Sequence, residues 1–206
     1  MILKARHHFF IYPFFKVYTV WKMNHHFNKT ILSGKFNDQE KPVLIIANHI
    51  SWWDGFWLMY FNLKVLKRKF HFMMLEDQLR KHLFFNYAGG FSVRKNSRSI
   101  VESLQYTREI LNHSENMVFM FPQGKINSIH EQQINFEKGI ERVIKGKLDE
   151  IQIVMVCNLI DYFSQPKPEL TIYYQELTNL SKTESLQNAY QDFFSQCIDR
   201  QKHKAE

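Results

Sequence analysis

The chain has 206 residues, 45% of them hydrophobic and 23% charged, which suits one domain with a sizeable core and excludes an intrinsically disordered protein. Lysine and arginine outnumber aspartate and glutamate by 27 to 20, and the net charge of +7 favours an anionic partner: phospholipid head groups, nucleic acid or an acidic carrier protein. The basic residues are scattered and no nucleic-acid-binding motif is present, so nucleic acid is set aside.

Residues 1–27 differ from the rest. Lys4, Arg6, His7 and His8 precede a stretch, 9–21, that is almost continuously apolar and aromatic, broken by Pro13 and Lys16. A helix needs about 20 apolar residues to cross a bilayer, so this stretch is too short to span one. No small-residue cleavage site follows it, which argues against a secretory signal peptide. The pattern predicts a helical membrane-associating segment, peripheral or monotopic, with aromatic rings at the acyl boundary. Lys4, Arg6, Lys16 and Lys22 would lie near anionic lipid phosphates on the cytoplasmic face. The other reading is a helix packed on the core. Residues 28–206 read as the remaining domain.

Short apolar runs then alternate with helical patterns. Val43–Ala47 reads as a buried strand and 52–63 as the helix after it. Residues 70–75 are strand-like, 76–84 helical and 91–93 a short strand. Ser99 and Glu102 form a capping-box pattern opening a helix with Ile100, Val101, Leu104, Ile110 and Leu111 on one face. A strand over 117–121 ends at Pro122 and Gly124. Residues 136–144 look helical, 151–160 is the longest strand, and 170–174 reads as an edge strand. In the final helix Leu186, Ala189, Tyr190, Phe193, Cys197 and Ile198 recur at helical spacing, behind a Ser181/Glu184 capping box. Cys157 and Cys197, the two cysteines, fall in apolar contexts and read as buried thiols in a reducing compartment. The alternation predicts an α/β domain with a mostly parallel central sheet flanked by helices, its ligands bound beyond the carboxyl ends of the strands.

Three segments stand at such strand ends. The first is Asn48-His49-Ile50-Ser51-Trp52-Trp53-Asp54. On a regular helix His49 and Asp54 would lie roughly 140° apart, so they meet only if the chain turns between them. Asp54 would then hold one ring nitrogen of His49 and leave the other to take a proton from a hydroxyl. An acceptor alcohol would supply the nucleophile of a triad-like arrangement. The plain alternative is an aspartate at a helix N-terminus near a surface histidine. The second segment, Gly89-Gly90-Phe91-Ser92-Val93-Arg94, ends in an arginine able to grip phosphate with two parallel bonds, or simply exposed. The third, Phe121-Pro122-Gln123-Gly124, is by itself a turn. No Cys/His cluster has metal-ligand spacing, and His25, His26, His71, His82 and His130 read as non-ligands.

Together these segments resemble the lysophospholipid (1-acylglycerol-3-phosphate type) acyltransferase family over about residues 40–160. Asn48, His49 and Asp54 match its first block; Gly90, Phe91 and Arg94 match its second. Phe121, Pro122 and Gly124 match part of a third that usually reads Phe-Pro-Glu-Gly-Thr-Arg-Ser. Phe136 and Gly139 also fall where the family tends to have Phe and Gly. The resemblance implies acyl transfer from acyl-CoA or acyl-acyl carrier protein to a lipid hydroxyl, with no bound cofactor and no metal. His49 would be the general base oriented by Asp54. Gly90, Arg94, Phe121, Pro122, Gln123, Gly124 and Lys125 would form the substrate site, with Arg94 anchoring an acceptor phosphate. The departures concern the acceptor. Gln123 replaces the family's Glu, Lys125 and Ile126 replace Thr and Arg, and Val154-Met155-Val156 lacks the usual Pro. A lysophosphatidate-like acceptor or another lyso or hydroxylated lipid both fit. A catalytically silent lipid-binding relative is the competing reading.

Overall fold

The computed structural model describes residues 2–94, 99–178 and 185–204. Seven strands form one sheet: β1 (Lys29–Lys35), β2 (Val43–Ala47), β3 (Lys69–Leu75), β4 (Gly90–Val93), β5 (Asn116–Met120), β6 (Gln152–Asp161) and β7 (Glu169–Glu176). Their order is β1-β7-β6-β2-β5-β3-β4. Every pairing is parallel except β6 with β7. That exception follows from the connection, since the loop 162–168 is long enough for a hairpin and too short for a crossover.

The helices are α1 (Ile11–His26), α2 (Asp54–Phe61), α3 (Glu76–Lys81), α4 (Phe84–Tyr87), α5 (Ser99–Ile110), α6 (Ile140–Ile144) and α7 (Leu186–Lys202). A π-helical turn, Asn62–Leu66, prolongs α2. β2 is buried throughout because both its faces are covered. Val43, Ile45 and Ala47 join Val154 and Val156 in the layer under α1 and α2. Leu44 and Ile46 join Ile153, Met155 and Cys157 in the layer under α5, α6 and α7. Strand alternation thus divides one apolar run between two cores. Cys157 and Cys197 are buried free thiols in the second layer.

Four sequence readings need correction. β1 was not foreseen: its mixed polar and apolar sequence carries Gly34, where a Cβ would lie 2.0 Å from the Tyr174 carbonyl oxygen. Because β1 pairs with β7, residues 170–174 lie inside the sheet instead of at its edge. Of residues 136–144 only Ile140–Ile144 are helical. The Ile134 and Phe136 N–H groups donate to the side chains of Gln191 and Gln187, and Glu137 N–H donates to the Pro122 carbonyl. These donors are therefore engaged outside any local helix. Residues 76–84 divide at His82 into α3 and α4. The Ser181/Glu184 capping box lies outside the described residues, and Ser185 caps α7 by accepting from Asn188 N–H at 3.2 Å.

The N-terminal segment seals one margin of the sheet. Leu3 exchanges hydrogen bonds with Ser92 of β4, and Arg6 and His8 donate to the carbonyls of Asn86 and Tyr87. α1 then packs Phe15 against Phe56 and Phe85, and buries Met23. Full burial of such a side chain contributes about 1.5–3 kcal/mol. The opposite side of α1 leaves Phe14, Val17 and Trp21 exposed. Among the described residues no helix is long and apolar enough to cross a membrane.

Candidate active site

β2 ends at Ala47, but its ladder continues through a side chain. The buried Asn48 carboxamide donates to the Asn158 carbonyl at 3.0 Å and accepts from the Asn158 N–H at 2.8 Å. With one donor and one acceptor it stands in for a peptide group and ties this strand end to β6. His49 follows directly.

The chain then turns into α2, whose first residue is the fully buried Asp54. Asp54 Oδ2 accepts from Ile50 N–H at 2.7 Å and from Ser51 N–H at 3.0 Å, closing the loop. The same oxygen lies 2.8 Å from His49 Nδ1. Since Oδ2 already receives two N–H donors it acts as acceptor, so Nδ1 carries the hydrogen. In the neutral ring Nε2 is then left with its lone pair. Burial pushes the Asp54 carboxyl above its ordinary value, and the His49 and backbone hydrogen bonds oppose that push.

The turn after β5 grips the same histidine. Phe121 stacks on the His49 ring at 4.0 Å between centroids and 3° between planes. Gln123 Oε1 accepts from the His49 main-chain N–H at 2.6 Å, and Asn127 N–H donates to the His49 carbonyl at 2.9 Å. Gly124 sits at φ 65°, a left-handed conformation that closes the turn and favours glycine.

A cavity of about 800 Å³ opens beside His49. Its walls are chiefly apolar, with Phe70 and Phe72 of β3, Phe119 of β5, Phe56 of α2 and Phe85 of α4 beside Met73, Met120 and Leu104. Phe121, Pro122, Gly124 and Lys125 line it, as do Ile126, Lys138 and Gly139. Gln123 faces instead a second cavity of about 320 Å³, bounded also by Asn48 and Asn158. Gly90 is not in the cavity wall; a Cβ there would meet the Phe85 carbonyl oxygen at 2.8 Å, so it serves close packing of β4 on α4. Phe136 packs on Tyr190.

Arg94 follows Val93, a wall residue, but is itself engaged outside the wall. Its Nε and Nη2 donate to the two carboxylate oxygens of Glu76, both at 2.7 Å, and Arg80 Nε donates to Glu76 at 2.8 Å. These guanidinium groups, Arg94 foremost, hold the Glu76 carboxyl at about 2. Asp77 and Glu102 also act on the Arg94 charge, so the cluster carries acids as well as guanidinium groups. The sequence reading missed Glu76, the apolar walls and Lys138. Phe residues two apart in β3 did signal a shared face, but a wall and a core have the same signature there. Among the described residues no group of three His, Cys, Asp or Glu side chains is placed to hold a metal ion.

A family model described as Acyltransferase matches residues 24–158, about two thirds of the chain, and spans His49, Asp54, Arg94 and the Phe121–Gly124 turn. The chain belongs to the acyltransferase family. The fold of this acyltransferase is also that of the crystal structure of the 1-acyl-sn-glycerophosphate (LPA) acyltransferase PlsC from Thermotoga maritima. The TM-score is 0.64 at 14% identity, over 94% of this chain and 80% of that one. At that identity the likeness is one of architecture. No curated protein matches the chain in sequence.

Proposed function

We propose that this acyltransferase moves a fatty acyl group from a thioester, acyl-CoA or acyl-acyl carrier protein, to a hydroxyl of a lipid acceptor at the cytoplasmic face of a membrane. The observation that carries the reading is the 2.8 Å His49–Asp54 contact beside a cavity walled chiefly by apolar side chains. His49 Nε2 takes the proton from the acceptor hydroxyl as its oxygen attacks the thioester carbonyl carbon. Asp54 stabilises the imidazolium that forms. When the tetrahedral intermediate collapses the C–S bond breaks, and the departing thiolate recovers the proton from His49. The ester oxygen comes from the acceptor and the free thiol is the second product.

The apolar cavity suits an acyl chain, at about 0.8 kcal/mol for each methylene buried. Lys125 and Lys138 outnumber Glu137 among the charged residues of its wall and supply charge for an anionic head group. A lysine meets phosphate as a point charge where an arginine offers a fork, so the acceptor is lysophosphatidate-like or another lyso or hydroxylated lipid. Residues 1–27 are the membrane-associating segment. A silent lipid-binding relative is disfavoured by the ordered His49–Asp54 bond, which binding alone does not require.

The test is thiol release by the purified full chain from acyl-CoA and acyl-acyl carrier protein against a panel of lyso and hydroxylated lipids. His49→Ala should reduce turnover by about two to four powers of ten while the protein stays folded. Equal transfer by the folded variant would remove the general base from the mechanism.

A further inference from the structure

We infer that the lipid-docking surface is not α1 alone but a continuous aromatic belt. It runs from α1 across Trp53 and Trp52 to Leu83 and Phe84, bringing the edge of the apolar cavity against an anionic bilayer. The inference rests on the proposed membrane reading and adds to it a second surface, remote in sequence from residues 1–27.

Ring contacts trace the belt. Trp21 stacks on His25 at 5.4 Å, His25 meets His26 at 5.4 Å, and His26 stacks on Trp53 at 6.2 Å. From there Trp53 touches Trp52 at 5.2 Å and Trp52 touches His82 at 6.4 Å, with Phe84 6.3 Å beyond. Trp52 also lines the cavity beside His49, so the belt reaches the site. These rings are open to solvent: Trp21, Trp52, Trp53 and Phe84 are 54%, 45%, 40% and 42% exposed. A run of large apolar side chains in contact with one another marks an interaction surface, and Trp with an amphipathic ring suits the lipid–water boundary.

Charge selects the occupant. The first acidic residue of the chain is Asp38, after six basic ones, and between His49 and Phe84 the acids are the buried Asp54 and Glu76 and the exposed Asp77, against six lysines and arginines. Lys22 Nζ sits 4.8 Å from the Trp53 ring centroid and 5.8 Å from that of Trp21, placing a cation among the rings. Rings interleaved with lysine and poor in carboxylates match an anionic lipid surface. A second copy of this basic surface would repel the first. Trp52 and Trp53 fall between His49 and Asp54 in the chain, so docking through them puts the general base within a few side chains of the lipid. An acyl chain or acceptor would then enter the cavity without crossing water.

The experiment uses the full chain and vesicles of equal parts phosphatidylglycerol and phosphatidylcholine, with phosphatidylcholine alone as control. The triple variant Trp53→Ser/Leu83→Ser/Phe84→Ser leaves α1 untouched. It should weaken sedimentation with the mixed vesicles by about tenfold or more. Wild-type binding by this variant would overturn the inference and leave α1 as the whole surface. A wild-type dimer in solution that the variant converts to monomer would also overturn it, since a second copy would then cover the belt. A second measurement guards against misfolding of the variant. In Trp21→Phe/Trp57→Phe protein Trp52 and Trp53 are the two remaining tryptophans, and vesicles with brominated acyl chains should quench their emission; unquenched tryptophan emission from vesicle-bound protein would overturn the inference. Turnover with short-chain, water-soluble donor and acceptor separates this idea from the proposed function. The triple variant should retain it, whereas a wild type inactive in that assay counts against the reaction and leaves the quenching result to judge docking.

Discussion

The main-chain N–H of His49 donates to Gln123 Oε1 at 2.6 Å, joining the loop after β2 to the turn after β5. Gln123 is therefore a positioning residue, and its replacement of a family glutamate preserves the acceptor atom this contact needs. Gln123→Leu would leave a partly buried N–H without its partner, at about 1–3 kcal/mol. Turnover should fall at least tenfold with donor KM little changed, while Gln123→Glu should recover most of it. Equal kcat for wild type and Gln123→Leu would deny the contact any part in placing His49.

Asp54→Asn keeps the size of the side chain and removes the charge that supports the imidazolium. Its amide also puts N–H donors where three hydrogen-bond donors now converge. Turnover should drop by about two to four powers of ten, and the loop should lose stability, visible as a lower melting temperature. Activity within threefold of wild type would show that His49 works unaided.

Acceptor recognition can be probed through Glu76 and Lys125. Arg94→Ala would raise acceptor KM, but it also leaves a buried carboxylate with Arg80 in place of two arginines, so Glu76→Gln is the gentler change. It loosens the fork on Arg94 and should shift acceptor KM more than donor KM. Lys125→Arg puts a guanidinium in the cavity wall and should improve use of lysophosphatidate against other acceptors. A competition assay with mixed lyso and hydroxylated lipids reads both. An unchanged ranking and unchanged KM would move the head-group site elsewhere.

His7 and His71 predict a response to acid. Burial lowers His7 to about 4 and His71 to about 3, and each histidine's charge would disfavour that of a neighbouring cation, Lys69 among them. Well above pH 6.5 both are neutral whether folded or unfolded, so they add no pH dependence there. As pH falls from 6.5 towards 4 the unfolded chain takes up protons that the folded chain refuses, and stability declines. His7 Nε2 meets the Phe70 carbonyl oxygen at 2.8 Å, a contact that Gln can make with an amide N–H. His7→Gln should therefore flatten part of the slope in urea midpoints measured between pH 7 and pH 5.

The elements that were legible in the sequence are those whose burial is uniform or strongly one-sided. β2 is apolar on both faces, and α5 and α7 carry apolar stripes, although Val101, read as part of the α5 stripe, is exposed and the buried face of α5 includes Ser103 and Thr107. β1 was invisible because an edge strand with a glycine and four polar residues lacks either signature. Residues 134–137 were misread because their N–H groups bond to Pro122, Gln187 and Gln191, distant in sequence. The His49–Asp54 pair could be proposed because its members are only five positions apart. The Gln123–His49 contact spans 74 positions and the Arg94–Glu76 fork 18, and neither leaves a periodic trace. Phe70, Phe72, Phe85 and Phe119 have the pattern of core residues, and only the arrangement of the facing layer makes them a cavity wall.

The amino-terminal segment is hydrogen-bonded to Ser92 of β4 and to α4 and leads, through a helix about 24 Å long, to β1 at the opposite margin of the sheet. It works as a strap, so the part of the chain suited to meet lipid also holds the sheet's two margins together. Removing residues 1–27 would do more than detach the protein from a bilayer. It would free the Ser92 N–H at the edge of β4 for pairing with other chains and uncover Phe56 and Phe85. Such a fragment should aggregate instead of surviving as a soluble catalytic core, visible as turbidity and loss of the cooperative melt. Point substitutions on the outer side of α1 should leave the melt intact, so membrane affinity can be tuned there without loosening the strap.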